Sequence, residues 1–353
     1  MVRTALDRQR DAVTRDLRGA DLAGADLTGA DLADADLSEA NLAGADLTGA
    51  CLRRAKLIAV DLGRATLTRA DLADADLTAA RLEAAVFHYG QAAGATIKEA
   101  NLTRLDARAS NFHGARVSEC EMAESLLSGA DLSRAVFDGS NLTKVDLSRA
   151  RCIGARFVGA NLSEANLTEA DFTEAVLEGA DLIKATAPGL VLRQAVIRGA
   201  RFRLTDLSAA ILSGARAHGV FMERASLLGA QLDGIDAEQA NFEFSDLRRA
   251  SLIHAGFRRA TLVGASLSAA VARRTDFTEA DFLWAELDSF TYDACITLGA
   301  RFPKPSEVVY CAPGASPPRV ASRPLFRAAC EDRAELLGKL LPPDAAAPTP
   351  PRA

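Results

Sequence analysis

The sequence predicts a repeat fold in which the chain turns once every five residues. The stretch from Ala20 to Gly44, ADLAGADLTGADLADADLSEANLAG, repeats with that period. On an α-helix, leucines five residues apart lie about 140° apart around the axis and make no apolar stripe. On a flat strand, an odd spacing sends successive leucines to opposite faces of the sheet. The pattern suits neither a helix nor a strand, so the chain must turn within each repeat.

The five-residue frame runs without an insertion from Leu17 to Phe302. Over these 58 pentads the central residue is Leu or Phe in 44, and the residue two before it is Ala in 41. The residue immediately before the centre is Asp or Asn in 26 pentads. We expect the central residue and the Ala to lie inside, and the other three positions to face solvent.

The pentads ADLAG, ADLTG, ANLSE and ADFTE resemble the pentapeptide-repeat family, whose motif is A(D/N)LXX. The resemblance implies an all-β fold, a right-handed quadrilateral β-helix in which four pentads make one coil. Residues twenty apart would then lie one above another. At about 4.8 Å per layer, the pentads would form about 14 coils and a rod roughly 70 Å long.

Some pentads depart from the pattern. Several central residues, such as Ala107 and Ala187, are small, and large residues at the usual Ala position, such as Leu105 and Leu190, can compensate. Pro188 removes a backbone donor, which predicts either a slight kink near residues 186–190 or a corner that tolerates proline.

Stacked coils end in open backbone edges, which invite further pairing unless they are covered. The sequence therefore predicts an N-terminal cap helix over residues 1–14, the repeat over 15–304, and a C-terminal segment over 305–341 that contains a cap or dimerisation helix. Residues 342–353 read as a disordered tail.

Apolar residues occupy solvent-facing positions near the C-terminal end of the repeat, and such a patch predicts a partner. Two alternatives stay open: docking of the chain's own C-terminal segment, or a homodimer interface, which resembles what some family members form. The candidate residues are Leu283, Trp284, Ile296, Leu298, Phe326, Leu337 and Leu340.

Composition and motifs argue against several classes of protein. There is no apolar run long enough to span a membrane and no signal-peptide core, so we expect a cytoplasmic protein. The six cysteines lack metal-ligand spacing. No nucleotide-binding, serine-hydrolase or zinc-protease motif occurs, so we expect no enzyme activity, no cofactor, no metal and no small-molecule substrate.

Charge is uneven along the chain, although the net charge is only −6. Residues 16–50 carry eight acids against one arginine, and residues 161–186 carry six against one lysine. Between residues 193 and 274, twelve arginines face seven acids. The candidate acidic binding surface comprises Asp16, Asp21, Asp26, Asp31, Asp34, Asp36, Glu39, Asp46, Glu164, Glu169, Asp171 and Glu174.

Two functional hypotheses follow. The first is a rod-shaped scaffold that binds protein partners through its displayed side chains. The second follows from the resemblance: Qnr- and MfpA-type family members mimic DNA, bind DNA gyrase or topoisomerase IV, and protect against quinolones. The acidic N-terminal third suits that role and the basic second half does not. Direct nucleic-acid binding by the arginines is a weaker alternative, because few exposed aromatic residues accompany them.

Overall fold

In the computed structural model, which describes residues 16–303, four ladders of parallel bridges join each bridging residue to the residue twenty positions later. We call these ladders faces 1 to 4; they begin at Asp16, Asp21, Asp26 and Asp31. The predicted twenty-residue coil is therefore confirmed. The right-handed sense of the coil and its closure into a square tube stay predictions.

Two places show longer pairing than a single bridge. Strand β1 (Thr96–Lys98) pairs in parallel with β2 (Arg116–Ser118) on face 1. Strand β3 (Val271–Arg273) pairs in parallel with β4 (Thr291–Asp293) on face 4. The register is again twenty residues in both pairs. Residues 16–303 contain no helix.

We number each pentad from its bridging residue, so that the central residue is position 2 and the Ala is position 5. In pentad 46–50 the N–H groups of positions 1, 2 and 4 donate to carbonyls of neighbouring coils at 2.9, 2.7 and 2.9 Å. Thr48 N–H donates to Oδ1 of Asp46 at 2.9 Å, and Ala50 N–H donates to the Leu47 carbonyl at 2.9 Å. Every backbone donor of this pentad is thus satisfied, as a close-packed coil requires.

Position 4 of every described pentad has a positive φ angle. Twenty of these residues are glycine and 37 are not. A positive φ at the third residue of a β-turn is the geometry of a type II turn, which glycine adopts at no steric cost. None of the 37 other residues is Val, Ile or Thr, in keeping with the crowding of β-branched side chains in this conformation.

The interior is filled by positions 2 and 5. Phe137 and Phe157, twenty residues apart, stack with ring centroids 4.9 Å apart and planes 5° apart. Leu105 and Leu190 are buried, as are the small central residues Ala107 and Ala187, in keeping with the predicted compensation. Buried hydroxyls at position 5 donate to carbonyls, as Ser125 Oγ does to Leu102 at 2.7 Å, so these polar groups carry no unmet donor.

Pro188 occupies position 3, where proline removes no bond between coils. Where position 1 is Asp or Asn, the N–H of this position commonly donates to that side chain, as Thr48 N–H does. Val158 and Ile253 instead donate to an aspartate at position 3 of the preceding coil, where Pro188 has Thr168. The ladder through Thr186 continues to the coils on either side. A tolerated corner is therefore the better interpretation of this proline.

The predicted terminal helices and the tail lie outside the described residues and stay predictions. Within residues 16–303, no segment combines the helical structure, length and apolar character that crossing a membrane would need.

Candidate interaction surfaces

The acidic side chains of residues 16–50 encircle the first two coils. Asp16 and Asp36 lie on face 1, Asp21 on face 2, and Asp26 and Asp46 on face 3. We call the whole set the N-terminal acidic collar: Asp16, Asp21, Asp26, Asp31, Asp34, Asp36, Glu39 and Asp46. Negative charge therefore surrounds one end of the repeat on all four faces instead of following one face along its length.

Part of the collar is engaged by neighbouring groups. Arg18 donates to Asp16 at 2.6 Å and lowers the pKa of that carboxyl to about 2. The hydroxyl of Ser38 likewise lowers the pKa of Asp36. Arg54 donates two bonds of 2.7 Å to Asp34 from the next coil. The bonds to arginine reduce the negative charge that a partner meets.

The second acidic block lies about seven coils further on, and its members also occupy different faces. Lys144 lies 3.9 Å from Glu164, and Arg149 lies 2.9 Å from Glu169. Asp171 and Glu174 belong to one pentad of face 4. The structure therefore does not bring the twelve predicted acidic residues together on one surface, and their role in binding stays a prediction.

The side chains of Asp and Asn at position 1 also stabilise the turn of their own pentad by accepting a backbone hydrogen bond. Asp146 Oδ1 accepts the N–H of Ser148 at 3.0 Å, and Asn161 Oδ1 accepts that of Ser163 at 3.0 Å. This bond is an Asx turn, for which either side chain serves. This structural role was not predicted from the sequence, although the interchange of Asp and Asn at one position indicates it.

The basic half keeps most of its charge unpaired. Of the twelve arginines between residues 193 and 274, three form ion pairs, with Asp181, Asp246 and Glu279. Among the described residues the other nine have no side-chain hydrogen bond or ion pair: Arg193, Arg198, Arg203, Arg216, Arg224, Arg249, Arg258, Arg273 and Arg274. They are distributed over all four faces.

The predicted apolar patch divides between two faces. Leu283 and Trp284 lie on face 2, whereas Ile296 and Leu298 lie on face 1. The side chains of Trp284, Ile296 and Leu298 are 50%, 55% and 76% exposed. The remaining predicted residues, Phe326, Leu337 and Leu340, lie outside the described part of the chain, so docking and dimerisation both stay predictions.

Face 2 also carries partly exposed apolar residues that were not predicted from the sequence. The ring of Phe244 lies against Gly264, one coil above, where a Cβ would be 2.6 Å from the ring. Phe221 is 44% exposed and Leu204 is 40% exposed. Their outward pentad positions, 1 and 4, were the signal that could have found them.

Face 4 carries a shallow groove made of two depressions that share His113. The lower depression, of about 460 Å³, is lined by Arg53, Asp71, Ala73, Asp74, Gln91, Ala93, Gly94, His113 and Gly114. The upper depression, of about 430 Å³, is lined by His113, Asp131, Ser133, Arg134, Arg151 and Ile153. All of these residues belong to successive pentads of one face, so the groove runs parallel to the coil axis.

Groups capable of chemistry are scattered or engaged. Burial raises the pKa of the Cys120 thiol to about 11 and raises that of Cys152 as well. His88 and Arg108 both contact Asp106, at 2.7 and 2.8 Å. Across the described coils, no group of three or more His, Cys, Asp or Glu side chains is placed to hold a metal ion.

Comparisons with known proteins agree with this architecture. A family model described as "Pentapeptide repeats (8 copies)" matches residues 16–54, 50–88, 110–151, 150–186, 189–224, 225–262 and 255–290. No curated protein matches the chain.

Solved structures of similar proteins include HetL, a pentapeptide repeat protein involved in heterocyst differentiation regulation from the cyanobacterium Nostoc sp. strain PCC 7120. It is 26% identical, covering 65% of this chain and 89% of HetL, with a TM-score of 0.27. A trypsin-treated form of QnrB1, a plasmid-mediated fluoroquinolone resistance protein, is 21% identical, covering 61% of this chain and 91% of QnrB1, with a TM-score of 0.25. Since both TM-scores are below 0.5, the family assignment stands on the sequence model.

Proposed function

Because the chain belongs to the pentapeptide-repeat family, we propose that it is a non-enzymatic scaffold that binds protein partners through side chains displayed on its faces. One observation carries the proposal. Each face places outward side chains in columns twenty residues apart in sequence, on a backbone whose ladders run through all the described coils. The described coils thus offer long ordered surfaces.

A backbone of this kind favours binding because it is ordered before a partner arrives. In pentad 46–50 every backbone N–H is already bonded, and the central leucine is fully buried. A preorganised surface avoids the ordering entropy that a flexible loop loses on association. Repeat proteins use such extended surfaces for the same reason.

The mixture of charges favours protein partners over a nucleic-acid partner. Among the described residues, nine arginines between residues 193 and 274 form no ion pair, and the acidic collar lies at the first two coils. The negative collar would repel the phosphate backbone of a nucleic acid, whereas a protein partner can present charges of both signs.

Site-specific photo-crosslinking in the native host tests this proposal. A photoreactive residue is placed at position 3 of one pentad per face, at Ser118, Thr103, Arg108 and His113. These side chains face outward, and the backbone N–H groups of Thr103, Arg108 and His113 donate to no neighbouring coil. We expect one or two faces to give the same crosslinked protein repeatedly. An absence of adducts on all four faces would contradict the scaffold.

A second candidate, DNA mimicry directed at a type II topoisomerase, is favoured by the acidic collar. Duplex DNA carries about one negative charge per 1.7 Å, and a rigid acidic protein can present a similar field. QnrB1 is a fluoroquinolone resistance protein, and Qnr-type family members bind DNA gyrase. The encircling collar and the ion pairs of the second acidic block weigh against a long DNA-like stripe, so we rank this candidate second.

A further inference from the structure

The groove on face 4 has a floor without projecting side chains between two groups of opposite charge. In its position 4 column the residues are, from one coil to the next, Asp74, Gly94, Gly114 and Arg134. The carboxylate of Asp74 lies over Gly94, because an added Cβ there would be 2.5 Å from its Oδ1. At Gly114 an added Cβ would meet no atom within 4 Å, so this part of the floor is open.

The charged groups at both ends are available to a partner. Asp74 has no side-chain hydrogen bond or ion pair among the described residues, and neither have Arg134 and Arg151. The stem of Arg134 passes 3.9 Å from the Cβ position of Gly154, one coil above. Arg53 and Asp71 pair with each other at 3.1 Å at the lower end, and Asp131 lies with Arg134 and Arg151 at the upper end. The lower end therefore carries a net negative charge and the upper end a net positive charge.

A buried serine lies in the wall of the groove and is bonded within its own turn. Ser133 is only 7% exposed, and its N–H donates to Oδ1 of Asp131 at 3.0 Å. At the same pentad position Thr143 donates its hydroxyl to Asn141 at 2.6 Å. The same pairing serves the Ser133 hydroxyl, since hydrogen bonding from Ser133 lowers the pKa of Asp131 although burial raises it. The evidence for a ligand is therefore the charge at the two ends and the open floor between them.

We propose that this groove binds an extended segment of a partner protein that carries a basic residue and an acidic residue about four positions apart. The basic residue pairs with Asp74, and the acidic residue pairs with Arg134 and Arg151. The inference rests on the proposed scaffold function and names the chemistry of one partner.

The spacing follows from the coil geometry. Asp74 and Arg134 are three coils apart, which is about 14 Å at 4.8 Å per layer. An extended chain advances about 3.3 Å per residue, so about four residues span this distance. A helical segment would need about nine residues at 1.5 Å each, and its diameter of about 10 Å would not follow a shallow groove.

Synthetic peptides capped at both ends test the proposal. The probes are TKTVTET and the reverse-charge order TETVTKT, in which the charged residues are four apart; TQTVTQT lacks charge and TKTETVT has a spacing of two. We expect one of the first two peptides to bind the full chain at least tenfold more tightly than both controls in biolayer interferometry, and to weaken in 0.5 M salt. Equal binding of all four peptides would overturn the inference.

Two substitutions tie the binding to the groove. Gly114→Gln fills the floor, and Gly129→Gln on face 3 is the matched control, because both glycines have a φ near +65° and open space around the Cβ position. We expect Gly114→Gln to weaken peptide binding at least tenfold and Gly129→Gln to leave it unchanged. Equal effects of the two variants would overturn the inference.

A charge exchange supplies the sharpest outcome. Asp74→Arg combined with Arg134→Asp reverses the polarity of the groove at two position 4 sites, where Arg54 and Asp34 show that both residue types are accommodated. We expect this double variant to prefer the other charge order of the peptide. An unchanged preference contradicts the groove alone, whereas the crosslinking experiment tests the scaffold on all four faces.

Discussion

At the scale of single residues, a position 1 aspartate has a structural role and an electrostatic role that substitution can separate. Asp46→Asn keeps the oxygen that accepts the N–H of Thr48, whereas Asp46→Ala removes it. A hydrogen bond of this kind contributes about 0.5–1.5 kcal/mol to stability. We expect Asp46→Ala to lower the free energy of unfolding by about 1 kcal/mol and Asp46→Asn to change it much less, as measured by urea denaturation.

The comparison between these variants is its own control, because both remove the same negative charge. If both variants were destabilised equally, the charge and not the Asx turn would be responsible. Asn41, which accepts the N–H of Ala43 at 3.1 Å in the same coil stack, already shows that asparagine makes the bond.

The left-handed backbone at position 4 gives a second prediction at this scale. Ala79 is exposed and has a φ of 58°. Ala79→Val would place a β-branched side chain in a conformation that costs roughly 1–2 kcal/mol even for an ordinary residue. We expect Ala79→Val to lower the melting temperature, whereas Ala43→Val, at position 3 where Val158 occurs, should not. Equal melting temperatures of the two variants would contradict this account.

At the scale of the pentad, the predicted inward and outward positions can be tested with one substitution at two sites. Ala45 is fully buried, whereas Thr48, in the next pentad, lies at an outward position. Ala45→Arg would bury an unpaired charge in a close-packed interior. We expect a loss of more than about 4 kcal/mol, seen as aggregation or loss of the folded circular dichroism signal.

Thr48→Arg is the matched control, since Arg53 and Arg108 occupy the same pentad position elsewhere. We expect it to change stability by less than about 0.5 kcal/mol. Similar behaviour of the two variants would show that the assignment of inner and outer positions is wrong.

Much of the pentad could be predicted from the sequence, because its period is phase-locked over the whole repeat. The spacing of Leu27, Leu47 and their equivalents fixed both the interior and the twenty-residue stacking. The left-handed turn residue was less evident, since only twenty of the 57 positions are glycine. The sequence does not indicate the positive φ angle at positions where a residue other than glycine, such as Arg54, adopts it.

At the scale of the whole molecule, the carboxylates predict how stability depends on pH. Hydrogen bonds from Arg18 and Ser38 lower the pKa values of Asp16 and Asp36, and Arg248 lowers that of Asp246. These groups bind protons more weakly in the folded state than in the unfolded state, so their contribution is present above about pH 4 and is lost as pH falls towards 2. We expect a melting temperature that is flat between pH 7 and 5 and falls below pH 4; a fall beginning at pH 6 would contradict this assignment.

The candidate surfaces were less predictable than the fold because they depend on which side chains share a face. Leu283 and Ile296 are close in sequence but lie on different faces. The groove between Asp74 and Arg134 joins residues sixty positions apart, and it becomes evident only when the pentads are placed on their faces. Periodicity therefore predicts the framework, while the pattern of outward residues must be read face by face.

One variant that removes negative charge from the acidic collar can distinguish the two proposed functions. Asp21, Asp26, Asp31 and Asp36 lie on four different faces, and their replacement by Asn removes four negative charges while an oxygen remains to accept each Asx-turn hydrogen bond. If the chain mimics DNA, submicromolar protein should inhibit gyrase supercoiling or protect it from a quinolone. The fourfold variant should then lose at least tenfold in potency, and high salt should weaken the effect. The matched control replaces Asp76, Asp146, Asp206 and Asp276 by Asn, which removes the same charge from position 1 sites outside the candidate acidic surface. A collar-specific loss would favour mimicry, whereas no effect of the unmodified protein at high concentration would eliminate it and leave the scaffold.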